Sequence, residues 1–111
     1  MGGEWLMKPF DIFIVYISWG IDGKNRPVLA FALSEDTTHV YQITTKYESK
    51  SEAVRSQYFK INDWAQAGLD AQSYVDTGTL ISLSTATFRN KSPIGKLTTK
   101  DKLRFLEFLN S

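Results

Sequence analysis

Apolar positions in this chain fall into short runs with the period of a strand much more often than that of a helix. "FDIFIVYIS" (Phe10–Ser18) is almost wholly apolar and rich in β-branched and aromatic residues, which predicts a strand buried on both faces. "WGIDGKNR" follows, with Gly20 and Gly23 marking a flexible loop. "PVLAFALS" (Pro27–Ser34) is a second apolar run, opened by a proline of the kind strands accept at a start or an edge. After the turn "EDTT", "HVYQITT" (His39–Thr45) predicts a third strand. The polar connection "KYESKSEAVR" leads to "SQYFKI" (Ser56–Ile61), a fourth. In "NDWAQAGLDAQS", Asn62 or Asp63 caps one helical turn that Gly68 ends, with Trp64 assigned to the core. "TLISLS" (Thr79–Ser84) predicts a fifth strand.

The period changes at the C-terminus. In "LTTKDKLRFLEFLNS", Thr98 and Asp101 approximate a capping box. Leu103, Leu106 and Leu109, flanked by Phe105 and Phe108, mark a wide apolar helical stripe. Five short strands and one amphipathic helix predict a mainly β fold, a small twisted barrel or sheet. The chain of 111 residues is read as one domain, with residues 1–9 as a flexible N-terminal extension.

Composition narrows the chemistry. Without cysteine, disulfides, thiolate metal sites and cysteine nucleophiles are excluded. The single histidine, His39, leaves no multi-histidine zinc site within one chain, and no metal or other cofactor is expected. No apolar run approaches the ~18 residues of a membrane span, and "MGGEWLMKPF" carries no signal-peptide pattern. A cytoplasmic location follows by default.

The net charge of +1 hides an uneven distribution. Residues 1–43 hold three basic and five acidic side chains, residues 44–60 four and two, residues 61–85 none and three, and residues 86–111 six and two. The basic charge is concentrated after "ITT" and from Arg89 onward. Convergence of those segments would make an anion-attracting face. Lys100, Lys102 and Arg104 read as the solvated side of the terminal helix.

"NRPVLAFAL", "YQITTK", "INDWAQAGL", "SYVDT" and "IGKLTTKDKLRFLEFL", taken together and in that order, resemble the PemK/MazF family of toxin ribonucleases, in one of its divergent PemK-like branches. The match runs from about Phe10 to Leu109. The resemblance implies an SH3-like barrel with a short helix and a C-terminal helix, acting as a homodimer. It implies an mRNA interferase: the endoribonuclease toxin of a type II toxin–antitoxin pair, cutting single-stranded RNA and held in check by a cognate antitoxin protein. DNA would be met only through the antitoxin complex. On the family pattern the catalytic positions are Arg26, the pair Thr44 and Thr45, and Asp76. The chain departs from the best-known members at Tyr74, where they carry an arginine, and this bears on the role of Asp76.

Metal-independent RNA cleavage proceeds by attack of the 2′-hydroxyl on the adjacent phosphate. It requires a group to take that proton, a donor for the 5′-oxygen and positive charge on the phosphorane. Arg26 suits the last task, because its planar fork bonds two phosphate oxygens and never loses its charge. The other reading of Arg26 is a loop end paired with Asp22. Thr44 and Thr45 are either donors to phosphate or ordinary strand residues. Lys24, Lys46, Lys50 and Arg55 are either a solvated loop face or RNA-backbone contacts, and Trp19 is placed to stack a base. His39 reads as a surface histidine at a strand start. A different class of function is also open: a non-catalytic barrel that binds proteins, or a gyrase-poison-type toxin acting through protein partners.

Overall fold

Antiparallel pairing organises the chain. Strands β1 (Asp11–Trp19), β2 (Asp22–Leu33), β3 (Thr37–Thr44), β4 (Tyr58–Lys60), β5 (Tyr74–Ser84) and β6 (Gly95–Lys96) form one sheet in the order β4-β5-β3-β2-β1-β6. The structure, a computed structural model, describes residues 7–111. It is 43% strand, and the sheet curls into a half-barrel. Helix α1 (Glu52–Arg55) lies in the polar connection before β4, and α2 (Thr99–Leu109) follows β6. The mainly β class and the C-terminal helix are as expected from the pattern. The predicted N-terminal extension falls mostly outside the described residues, but Met7 within it is buried against Phe13 and its neighbours.

The segment expected to be a flexible loop is instead the end of a long hairpin. Trp19 pairs with Asp22, so only Gly20 and Ile21 turn the chain. Gly20 takes φ 58°, a conformation open to glycine at little cost. Lys24, Asn25 and Arg26 therefore lie inside β2, opposite Ile17, Tyr16 and Val15. Gly23 is also a strand residue, paired with Ser18, and a side chain there would meet the Tyr16 ring and the Ile17 carbonyl. Ladder hydrogen bonds to β1 outweigh the loop-like composition.

Pro27 is a second correction, being in the middle of β2 and not at its start. Ile94 N–H donates to the Ile12 carbonyl (2.8 Å), so the main chain of Ile12 faces β6. By alternation the main chains of Phe13 and Val15 face β2, where they meet Val28 and Arg26. The Pro27 nitrogen then points toward β3. There the β2–β3 ladder has already ended, with Val28 opposite Gln42 as its last pair. Beyond that pair the two strands part.

Alternate side chains of the sheet feed two cores. Ile12, Leu29, Tyr41, Ile43, Phe59 and Val75 pack with Phe105 of α2. Phe13, Val15, Val28, Ala30 and Val40 pack with Phe88 on the other face. Burial of β1 on both faces holds only for its first half, since Ile14 and Tyr16 are exposed. The α2 stripe also differs from expectation: Phe105, Phe108 and Leu109 turn inward, whereas Leu103 and Leu106 face out. Asp101 accounts for this rotation. It is fully buried, accepts from Asp63 N–H (2.7 Å) and Arg104 Nη1 (2.6 Å), and its own N–H donates to Thr98 Oγ1 (3.2 Å). The predicted cap therefore forms, with its carboxylate used between elements. The Asn62–Gly68 segment makes turns in place of a regular helix, and Thr98 donates to Asp63 (2.8 Å). β5 is longer than predicted and β6 was not foreseen.

Backbone crossing is tightest where Gly68 and Gly95 meet. A Cβ on Gly95 would lie 1.9 Å from the Ala67 carbonyl oxygen, backbone against backbone with no flexible end to yield. Gly95→Ala is expected to destabilise the fold by about 1–3 kcal/mol or more. An unchanged thermal unfolding midpoint would contradict this packing.

Candidate active site

Where β2 and β3 part, a cleft of about 550 Å³ opens, a size that suits a small ligand or one nucleotide. One wall is Lys24–Pro27 of β2; the other is Gln42–Thr44 with Thr45 and Lys46 beyond the end of β3. Lys50, Tyr58 and Asp76 complete it.

Arg26 enters this space from the same sheet face as Val15 and Val28, one step past the end of the second core. Its guanidinium lies 5.5 Å from the centre of the Trp19 ring, within cation–π range. Its Nε is buried and has no hydrogen-bond partner. Asp22 does not pair with it: among the described residues the ion pairs are Arg55–Glu48 and Arg104–Asp101. A buried charged donor left open costs free energy, and an anion in the cleft would satisfy it.

A row of directly opposed residues crosses the sheet beside Arg26. Val28 faces Gln42, Gln42 faces Asp76, and Asp76 faces Tyr58. Residues so paired share a face, so Gln42, Asp76 and Tyr58 all point to the cleft side. Thr44, two residues beyond Gln42, points there too. β5 is sharply bent at this place. Asp76 opposes Gln42 but Ile81 opposes Val40, so Thr77–Leu80 bulge out against Tyr41 alone. Gly78 N–H donates to Asp76 Oδ1 (2.8 Å), which orients the carboxylate. Among the described residues, no hydrogen bond reaches Oδ2. Burial first, and the nearby Asp76 charge second, push the Tyr58 phenol above its ordinary pKa, so it stays protonated at neutral pH.

Thr44 Oγ1 accepts from Lys46 N–H (3.0 Å), turning the chain out of β3 and leaving the hydroxyl proton able to donate to a ligand. The loop that follows carries Lys46 and Lys50. It is held from outside by Arg55, whose Nε and Nη2 donate to the carbonyls of Tyr47 (3.2 Å) and Glu48 (2.5 Å). The Arg55 guanidinium lies 5.1 Å from the Tyr47 ring centre, and Tyr47 stacks on Tyr74 at 4.4 Å and 16°. Arg55, expected among the RNA contacts, is thus occupied as a clamp and does not line the cleft.

The structure brings Lys24, Arg26, Thr44, Thr45, Lys46, Lys50 and Asp76 to one cleft, with Trp19 against Arg26. His39 lies elsewhere, its Nδ1 3.0 Å from Ser82 Oγ. Sequence reasoning missed Gln42 and Tyr58. Both alternate with buried neighbours, Ile43 and Phe59, and that alternation was the available signal. Tyr74, the departure from the family pattern, belongs to the tyrosine stack. No helix of the described residues is long and apolar enough to cross a membrane. No protein-family model matches the chain, and no curated protein aligns with it significantly.

The clamp has a measurable consequence. Arg55→Ala is expected to raise limited proteolysis several-fold within residues 45–51 while leaving the unfolding midpoint almost unchanged, since α1 contributes no buried residue to either core. Equal protease resistance would mean that the loop holds itself.

Proposed function

We propose that the protein is a metal-independent endoribonuclease of the PemK/MazF type, the toxin of a type II toxin–antitoxin pair. One observation carries the reading. Arg26, with its buried Nε unsatisfied, shares a cleft with three lysines and one oriented carboxylate, Asp76. That is an anion site beside a proton acceptor, the pair that in-line 2′-hydroxyl attack requires. In this reading the scissile phosphate docks on Arg26 with a hydrogen bond from Thr44. Asp76 Oδ2 takes the 2′-hydroxyl proton, while Lys24, Lys46 and Lys50 follow the RNA backbone. Trp19, 47% exposed and fixed by Arg26, offers a face to an adjacent base. The 2′-hydroxyl as nucleophile makes RNA the substrate, and DNA would not serve. In this reading the half-barrel is of the SH3-like kind that such ribonucleases share.

The test is cleavage of mixed-sequence RNA in chelator, with the ends mapped. Products ending in 2′,3′-cyclic phosphate are expected. Arg26→Ala should lower the rate by about 10²–10³, the usual effect of losing one preorganised donor. Arg26→Lys should restore little, because the fork is lost. Thr44→Ala should slow cleavage roughly tenfold and Thr45→Ala less, because Thr44 lies on the strand face shared with Gln42 and Asp76, whereas Thr45 is exposed beyond the strand end. Full activity of a folded Arg26→Ala protein would remove this site from the reaction.

The reading also makes the protein a homodimer that a cognate antitoxin neutralises. Exposed Ile14, Tyr16 and Ile21 on the β1–β2 hairpin, and Leu103 and Leu106 on α2, supply apolar surface for such contacts. Sedimentation at micromolar concentration should give twice the chain mass; a monomer alone would count against it.

A further inference from the structure

Cleavage by 2′-hydroxyl attack needs a proton for the departing 5′-oxygen, a role that the phosphate-binding Arg26 and the proton-accepting Asp76 do not fill. We infer that Tyr58 is the proton donor to that oxygen, an inference that rests on the ribonuclease reading. Tyr58 lines the cleft and stands directly opposite Asp76 in the β4–β5 pair, on the face shared with Gln42 and Thr44. Its ring is braced by Tyr47 (6.2 Å) and Tyr74 (6.4 Å), so its hydroxyl is held by packing and not by a mobile stem.

The other candidates fit less well. His39 is turned to Ser82, away from the cleft. Lys24, Lys46 and Lys50 are exposed. Arg26 is engaged with the scissile phosphate in this reading, and a guanidinium is too weak an acid for the task. Tyr58 is half-buried and, with its pKa raised, still carries its proton at neutral pH. A phenol is a much stronger acid than the ribose hydroxyl that bond cleavage creates, so transfer becomes favourable as the bond breaks.

The step balances without an outside reagent. Asp76 takes the 2′-hydroxyl proton, and the freed electron pair forms the new bond to phosphorus. The bond from phosphorus to the 5′-oxygen breaks and leaves its pair on that oxygen. Tyr58 passes its proton there. The proton held by Asp76 then returns to the phenolate across the strand pair, directly or through water. RNA becomes a 2′,3′-cyclic phosphate and a 5′-hydroxyl, with no change in oxidation state.

Two substrates separate this role from others. One is an RNA oligonucleotide carrying the site mapped for the wild-type protein; the other has sulfur in place of the 5′-bridging oxygen at that site. Thiolate leaves without protonation, so it does not need an acid. Tyr58→Phe keeps the ring and its packing and removes only the hydroxyl. The expected result is a loss of about 10²–10⁴ on the oxygen substrate, the range of general acid–base catalysis, and near-wild-type cleavage of the sulfur substrate. Equal losses on both would assign the hydroxyl to binding and overturn the inference, as would no loss on either. Wild-type protein that cleaves neither would overturn the ribonuclease reading itself.

Discussion

Strand alternation is the constraint on which this structure depends. In β1, β2 and β3 successive side chains go to opposite faces, and both faces are packed: Ile12 and Leu29 reach one core, Phe13 and Val28 the other. A register slip of one residue would exchange the two sets, so pairing is pinned from both sides. The same constraint makes the cleft. Along β2 the second core stops at Val28, and the next positions on its face are Arg26 on β2 and Gln42 across on β3. Polar groups there sit at the open end of an apolar row, part-buried but reachable.

That location explains why the cleft can hold charge without unfolding the domain. Arg26 lies within the stretch of β2 paired with β1, Asp22 to Leu29, so its backbone does not depend on what the guanidinium meets. Asp76 lies at the bend of β5, where Gly78 orients one carboxylate oxygen, and Tyr58 is braced by two rings. Each group is thus positioned by a different element, and each element is anchored by a buried residue of its own, Val28 in β2, Val75 in β5 and Phe59 in β4. The lysine loop is the exception, tied down through Arg55 and Tyr47 and by the Thr44 hydroxyl at its start.

Much of this was legible in the residues. Apolar runs located β1, β2 and β3, and the Thr98–Asp101 spacing located the start of α2. Resemblance placed Arg26, Thr44, Thr45 and Asp76, and the structure brings all four to one cleft. Three things were hidden for physical reasons. Gly23 to Arg26 look like a loop by composition, yet main-chain pairing with β1 is indifferent to polar side chains. The outward turn of Leu103 and Leu106 follows from a buried Asp101, and a hydrophobic pattern does not weigh a carboxylate as core. Arg55 looks like any exposed cation until its carbonyl partners seven and eight residues back are known.

The mid-strand proline has an implication for assembly. From Asp22 to Pro27, β2 has no partner on its β3 side, and by alternation the backbone amides of Gly23 and Asn25 face that gap. Such a border is an invitation to a foreign strand, which could extend the sheet straight through the cleft. Pro27 withholds the first donor such a strand would need, and Lys24 sets a charge along its path. The border is therefore guarded against aggregation by strand addition, yet keeps amides for a ligand that needs only one or two.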